Sequence, residues 1–89
     1  MAILKVSSKS NPKALAGAIA GEVRDNGYAE LQAVGAGAVN QAMKGIAIAR
    51  GFAAPSVVNL VCIPTFVDVR TNGKEVTAMK FVVSPVKYG

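Results

Sequence analysis

An Asn72-Gly73 dipeptide constrains the fold of this chain more than any other feature of its sequence. Both residues tolerate the positive φ angles of the tight turns that join antiparallel strands. Extended, β-branched sequence lies on both sides of the dipeptide. The C-terminal third of the chain is therefore predicted to form a long β-hairpin.

The two strands of the hairpin are predicted from the runs that flank this turn. The first run spans Val57–Ile63 and continues at Phe66–Val69, with Pro64 marking a bulge or an edge position. The second run spans Val76–Val83 and is predicted to end at Pro85. Residues 86–89 are expected to form a frayed tail.

The N-terminal part of the chain predicts a strand followed by a helix. The strand covers Ala2–Val6, and the helix begins at Pro12 with Ser10 or Asn11 as its cap. Asn26-Gly27 suits the left-handed end of a helix. The apolar face of this helix recurs at helical spacing and comprises Leu15, Ala16, Ile19, Ala20 and Val23. Gly17 and Gly21 lower helix propensity, and a close backbone contact is expected to compensate.

A second strand and helix follow in the same order. The strand covers Tyr28–Val34 and leads through Gly35-Ala36-Gly37 into a helix that closes at Arg50-Gly51. The apolar positions of this helix are Val39, Ala42, Met43, Ile46 and Ala49. Residues 53–56 are predicted to turn into the hairpin.

The element order is therefore β-α-β-α-β-β within a single domain, residues 1–89. This order predicts an α+β fold, in which two helices pack on one face of a four-stranded sheet. The apolar share of 52 % is sufficient for a core. A mean hydropathy of +0.39 is high for so small a chain, and indicates that a partner chain covers some apolar surface.

The composition argues against most enzyme classes. Without histidine, Ser-His and Cys-His nucleophile pairs are impossible. The sole cysteine, Cys62, lies in an apolar run that predicts a buried strand, which leaves no metal-ligand set. The acidic residues do not pair as an acid and a base, and are interpreted as surface charges: Glu22, Asp25, Glu30, Asp68 and Glu75. We expect no enzyme, no metal and no cofactor.

The segment Gly35–Asn40 opens a helix after a strand and invites comparison with dinucleotide-binding turns. Asn40 stands where the third glycine of that fingerprint belongs, and the acidic residue about 20 positions later is missing. Gly35 and Gly37 are better explained by a sharp turn into the helix. The free amides at this helix start could still hold a phosphate of a polymer backbone.

The net charge of +5 favours polyanions as partners. Basic residues fall into three groups, one before the first helix, one at the second helix and one on the hairpin. Together with the helix start, they give the candidate nucleic-acid-binding residues Lys9, Lys13, Gly35, Gly37, Asn40, Lys44, Arg70, Lys74 and Lys80. Solubility and protection of strand edges are the alternative explanation for each lysine.

The aromatic side chains are predicted to lie mostly in the core: Tyr28, Phe52, Phe66 and Phe81. Stacking platforms for single strands are then not indicated, and phosphate contact with weak sequence preference is expected. No apolar run is long enough for a membrane span, and the N-terminus lacks signal-peptide features. A reduced single cysteine agrees with a cytoplasmic location.

The sequence closely resembles the bacterial stage V sporulation protein S family over nearly its whole length. The resemblance rests on five stretches: Ile3-Leu4-Lys5-Val6-Ser7, Ala16-Gly17-Ala18-Ile19-Ala20-Gly21, Gly35-Ala36-Gly37-Ala38-Val39-Asn40-Gln41-Ala42, Ile46-Ala47-Ile48-Ala49-Arg50-Gly51 and Cys62-Ile63-Pro64. It implies a regulatory role in sporulation. The family is similar in fold to the Alba-like proteins, which are small dimeric chromatin and RNA-binding domains.

The likeness to Alba-like proteins implies a two-layer sandwich, and a basic loop before the first helix where Lys9 and Lys13 stand. It also implies a hairpin arm that enters the minor groove, with Arg70 and Lys74 in matching positions. Alba-like proteins usually carry a basic residue in the glycine turn, whereas this chain has Ala36 and Ala38 there.

Three functions remain open from the sequence. The first is a homodimer or tetramer that binds DNA or RNA and no membrane. The second is a protein–protein adaptor in sporulation or cell-division regulation that binds no nucleic acid. The third is small-ligand binding at Gly35–Asn40.

Overall fold

A computed structural model describes residues 2–53 and 58–87. Its elements follow the order β1 (Ile3–Val6), α1 (Pro12–Asn26), β2 (Ala29–Ala33), α2 (Ala36–Ala53), β3 (Val58–Thr71) and β4 (Lys74–Lys87). The four strands form one mixed sheet in the order β1-β2-β4-β3. The predicted α+β fold, with two helices on a four-stranded sheet, is confirmed.

Helix α1 begins and ends as its sequence predicts. The Oδ1 atom of Asn11 accepts hydrogen bonds from the amides of Lys13 (2.9 Å) and Ala14 (3.0 Å). Pro12, which has no amide to leave unsatisfied, occupies the first helical position. Gly27 ends the helix in the left-handed conformation, with φ of 87°.

The core lies between the two helices and one face of the sheet. Its fully buried large side chains are Ile19 of α1, Leu31 of β2 and Val83 of β4. Small residues allow the two helices to approach each other closely. A Cβ atom at Gly45 would lie 2.7 Å from Cδ2 of Leu15, so α1 and α2 touch at this point.

The strand register separates the two faces of the sheet. Leu31 pairs with Phe81, and Phe81 pairs with Pro64, on the face that the helices cover. Glu30 pairs with Val82, and Val82 pairs with Ile63, on the opposite face, which we call the helix-free face. Side chains in one row across a sheet point to the same side, so the register assigns every strand residue to a face.

The hairpin of β3 and β4 is longer than the layer of helices that covers the sheet. Each strand has 14 residues, whereas α2 has 18. At the usual rise per residue, 14 strand residues span about 46 Å and 18 helix residues span about 27 Å. The molecule is accordingly elongated, with principal extents of 45 × 20 × 19 Å.

The turn of the hairpin has the predicted geometry. Asn72 and Gly73 have φ angles of 52° and 75°, as a type I′ turn requires. Pro64 lies on β3, which is an edge strand, and the continuous register shows no bulge there. The predicted strand end at Pro85 is wrong. Pro85 pairs with Leu60 in a part of β4 that β2 does not reach.

Two expectations about close packing on the helices are also wrong. Gly17 has no atom within 4 Å of the place where its Cβ would stand, and Gly21 has only an Nη atom of Arg24 at 3.6 Å. Met43, predicted to lie in the core, is 41 % exposed because the buried face of α2 runs through Ala38, Ala42, Ile46 and Ala49.

The predicted buried strand around Cys62 is only partly buried. Cys62 packs against the core, but Val61 and Ile63 lie on the helix-free face and are 36 % and 61 % exposed. The prediction that the aromatic residues lie in the core holds for Phe81 alone. Tyr28, Phe52 and Phe66 are exposed.

No helix among residues 2–53 and 58–87 has the length and apolar character needed to cross a membrane. The turn predicted for residues 53–56 lies outside the described residues except for Ala53, which ends α2. Of the tail predicted for residues 86–89, Val86 and Lys87 belong to β4, and the last two residues lie outside the described part.

Candidate nucleic-acid interface

Serine hydroxyls hold the loop between β1 and α1 in a fixed turn. The Oγ atom of Ser10 accepts a hydrogen bond from the amide of Ser7 (2.9 Å), and the amide of Ser10 donates to the carbonyl of Ser7 (3.1 Å). The amide of Lys9 donates to Oγ of Ser7 (3.2 Å). Lys9 is thereby presented on an ordered turn, with its side chain exposed.

Lys13 is exposed in the first turn of α1, a turn that contains no acidic residue. The start of a helix carries a partial positive charge, and a cation there opposes the helix dipole. A second cation, Lys9, stands in the adjoining loop. These two cations lower the stability of the folded chain when no anion is present. An anion bound at the loop would make their position favourable.

The start of α2 packs directly against this loop. A Cβ atom at Gly37 would stand 2.8 Å from Cβ of Ser8, so the contact requires glycine. Nε2 of Gln41 donates a hydrogen bond to the carbonyl of Ser10 (2.8 Å). The loop with Lys9 and the helix start, which are separate groups in the sequence, are thus adjacent in the fold.

The remaining candidates on α2 extend this surface. Gly35 has φ of 90° and lets the chain reverse from β2 into the helix. Asn40 and Lys44 are both exposed and lie four residues apart, on one side of the helix. A contiguous polar surface therefore runs from the loop onto the first turns of α2.

The register brings the third group, on the hairpin, to the same end of the sheet. Strands β1 and β2 are parallel, with Val6 opposite Ala33, so the loop before α1 and the start of α2 leave the sheet together. Ala33 pairs with Met79, the last pair between β2 and β4. We call residues 66–79, which continue from there to the turn, the arm, and the end of the molecule that holds the loop, the start of α2 and the arm the basic end.

The hairpin cations of the basic end lie on two different faces. Arg70 is opposite Glu75, on the side of the sheet that carries the helices, and its Nη1 donates to the carbonyl of Gly73 (3.1 Å). Lys74 and Lys80 fall on the helix-free face. The structure therefore brings Arg70 onto the same side as the loop, and Lys80 onto the other side.

Lys80 has a cationic neighbour that the list of candidates missed. Lys5 of β1 pairs with Gln32, and Gln32 pairs with Lys80, so the three side chains form one row on the helix-free face. The alternation of β1 already placed Lys5 opposite its apolar neighbours. Gln41 was missed as well, because its contact with Ser10 joins positions 31 residues apart. The local hydrogen bonds of Ser7 and Ser10 within the loop were also missed.

Two cations at the end of the molecule opposite the basic end have side-chain partners. Nε of Arg24 lies 3.1 Å from Oδ1 of Asp25, the one ion pair found among the side chains of residues 2–52 and 59–86. Nε of Arg50 donates to Oδ1 of Asn59. In the described part of the chain, none of the candidate lysines is neutralised by an ion pair.

Among the residues whose side chains the structure describes, no three potential metal ligands lie together and no charged side chain is buried. A cavity of about 250 Å³ at the opposite end is lined by Ala20, Val23, Arg24, Ala49, Phe52 and Leu60. This lining supplies neither a carboxylate nor a nucleophile.

The comparison with known protein families gives a match along almost the entire sequence. The model of the family described as Stage V sporulation protein S (SpoVS) matches residues 2–86. The matched residues include the first five elements in full, β4 up to Val86, and the loop, helix start and arm of the basic end.

Proposed function

The chain belongs to the Stage V sporulation protein S family, and we propose that it binds nucleic acid as a non-enzymatic regulatory protein. Its family is one of regulatory sporulation proteins. In the proposal, the protein works as a homo-oligomer in the cytoplasm and contacts the phosphate backbone of DNA or RNA.

One observation carries the proposal: the cationic loop before α1 and the hairpin arm, which are distant in the sequence, lie at the same end of the molecule as the start of α2. Lys9 and Lys13 lie beside the start of α2, and the arm leaves the sheet next to both. A groove or ridge of positive charge attracts the phosphate backbone whatever its sequence. The first amides of α2, which have no partner within the helix, add donors at the same place.

The helix-free face supports the homo-oligomeric part of the proposal. One row across this face contains Ile3, Glu30, Val82 and Ile63. Ile3 and Ile63 are 48 % and 61 % exposed, and Val61 in the next row is 36 % exposed. Exposed apolar side chains that gather on one face are typical of a protein–protein interface.

Fluorescence anisotropy over a series of salt concentrations tests nucleic-acid binding. We expect labelled oligonucleotides to bind at low salt, with an affinity that falls as salt rises. On duplex DNA, each phosphate contact should contribute about 0.9 to the slope of log K against log salt. Failure to bind DNA and RNA at low salt would overturn the proposal.

Sedimentation equilibrium tests the assembly. We expect the protein to be larger than a monomer, and Ile63→Glu to shift it towards the monomer because a charge would be buried in the contact. Ala47→Glu, at an exposed site on α2, is the matched control and should leave the assembly unchanged. A monomeric wild-type protein would contradict this part of the proposal.

The exposed apolar residues of the helix-free face also favour a second candidate function, that of a protein–protein adaptor. In that case the face with Ile63 would bind a different protein, and the cations would serve solubility. Pull-down from nuclease-treated lysate separates the two functions. An adaptor keeps its partner after nuclease treatment and loses it with Ile63→Glu, whereas the proposed function predicts that nuclease removes the captured material.

A further inference from the structure

Phe66 is the most exposed large apolar side chain among residues 2–52 and 59–86, at 78 %. Burial of a phenylalanine side chain gives one of the largest favourable hydrophobic free energies of any residue, and a phenylalanine left in water lacks this stabilisation. Single exposed apolar residues are common on protein surfaces, so exposure alone assigns no role. The position of Phe66 relative to its neighbours is more informative.

Phe66 lies where the helix layer stops. Its row consists of Val6, Ala33, Met79 and Phe66, and it is the last row that includes β2. Val6 and Ala33 are buried, so burial in this row ends towards the edge strand β3 that carries Phe66. In the preceding row, Leu31 and Phe81 are buried beneath the helices. Phe66 thus stands on the helix-bearing side, at the base of the arm and beyond the core.

Polar groups follow Phe66 along this side of the arm. The next pair on the same face is Asp68 with Thr77, whose Oγ1 donates to Oδ1 of Asp68 (3.3 Å). Arg70 follows, four residues and about 13 Å from Phe66 at the usual rise of a strand. The ring therefore lies between the exposed Pro64 on one side and polar and charged side chains of both signs on the other, with the half-buried Met79 opposite it.

The exposed apolar cluster of the sheet lies on the other side. Val61 and Ile63 point to the helix-free face, whereas Phe66 points to the side that carries the loop and α2. A contact between protomers through Val61 and Ile63 would leave Phe66 in solvent. The two sets of exposed apolar residues therefore require two different explanations.

We propose that Phe66 stacks on an unpaired base, so that the preferred ligand of the basic end is a single strand or a nucleic acid with unstacked bases. This inference rests on the proposed function, whose cations would hold the phosphates on either side of the stacked base. An aromatic ring beside a positively charged surface is the combination that binds single strands without sequence preference. In a continuous duplex the base faces are stacked on each other and inaccessible to the ring.

The affinity test compares a labelled single strand with a blunt duplex of the same length by fluorescence anisotropy, using the full chain. We expect the wild-type protein to prefer the single strand. Phe66→Ala should weaken single-strand binding roughly 5- to 150-fold, the range for one lost stacking contact, and leave duplex binding nearly unchanged. Phe52→Ala removes an exposed ring at the opposite end and should change neither affinity.

A spectroscopic test reports the stacking itself. The chain has no tryptophan, so Phe66→Trp introduces a unique fluorophore at the base of the arm. We expect the single strand to quench its emission, because a stacked base accepts an electron from the excited indole at contact. Phe52→Trp is the matched reporter at the opposite end and should not be quenched.

The outcomes distinguish this inference from the function on which it rests. If the wild-type protein binds duplex and single strand equally and Phe66→Ala changes neither, base stacking is wrong and phosphate binding stands. If no ligand binds at low salt, both are wrong. If Phe66→Ala changes the mass seen by sedimentation equilibrium, Phe66 is a contact between protomers and the inference fails.

Discussion

The two ends of the molecule both carry cations, but the cations stand in opposite relation to the helices. At one end, Arg24 and Arg50 lie in the last turns of α1 and α2, where the helix dipole favours positive charge. Both also have a side-chain partner, Asp25 and Asn59. At the basic end, Lys13 occupies a first turn, where the dipole disfavours it.

This difference separates the cations that the fold itself stabilises from those that have no stabilising partner within the folded chain. Arg24 and Arg50 contribute to the stability of the folded chain, so contacts within the protein explain their positive charges. Lys13 of the basic end lowers that stability slightly, and in the proposed function it gains its partner when a polyanion binds.

The largest effect should come from reversing the loop charges. We expect Lys9→Glu with Lys13→Glu to weaken binding of an oligonucleotide roughly 100-fold at low salt and to lower the salt slope by about 2, since two phosphate contacts are lost. Arg24→Glu with Arg50→Glu changes the net charge equally and should have a much smaller effect. Equal losses in the two double variants, measured by anisotropy, would mean that only net charge matters.

Because the loop contacts α2 at Gly37, substitution of different glycines in α2 should have different effects on the stability of the protein. Gly37→Ala places a methyl group against Ser8, and overpacking of this kind costs about 1–3 kcal/mol. Gly51→Ala, near the other end of the same helix, meets no atom within 4 Å and should gain up to about 1 kcal/mol from helix propensity. Thermal unfolding of both variants checks the signs. A higher Tm for Gly37→Ala would show that the loop is not held against α2.

The cap of α1 should matter more than a similar side chain at the helix end. Asn11→Ala removes the acceptor for two amides and should cost about 1 kcal/mol of unfolding free energy. Asn26→Ala loses only an exposed side-chain contact with Glu22 and should cost less than about 0.5 kcal/mol. Urea unfolding of the two variants measures the difference, and equal costs would refute the assignment of the cap.

The smallest effects should have opposite signs. Lys13→Ala removes a cation from a helix start and should raise the stability by about 0.3–1 kcal/mol, whereas Arg24→Ala removes a cation from the end of the same helix and should lower it by a similar amount. Both changes should shrink in 1 M salt because exposed charges are screened. If the two variants shift Tm in the same direction, the helix dipole does not explain the contrast.

Much of the fold follows from local signals in the sequence. Asn72-Gly73 predicts the turn, and Asn11 and Gly27 mark the limits of α1, because each of these residues is selected by backbone geometry within a few positions. The burial of Phe66, Ile63 and Met43 was predicted wrongly. An apolar side chain in a strand or helix is buried only where another layer covers it, and the extent of that layer is a property of the whole fold.

The candidate site was predictable as residue types and not as an arrangement. Lys9 and Lys13 stand out in the sequence, but the contact of the preceding loop with α2 depends on Gln41 and Gly37, which no local pattern connects to the loop. The division of the hairpin cations between two faces follows from a register that places Lys80 beside Gln32. A shift of one residue in that register would exchange the faces.

The arm has a further consequence for how the protein responds to what it binds. Beyond Met79, strand β4 pairs with β3 alone, so the arm can separate from its tip without exposing Ile19, Leu31 or Val83. A two-stranded ribbon is only marginally stable in water. Amide protons near Gly73 should therefore exchange with solvent long before those of the sheet. The part that first meets a ligand can adjust its shape while the domain behind it remains folded.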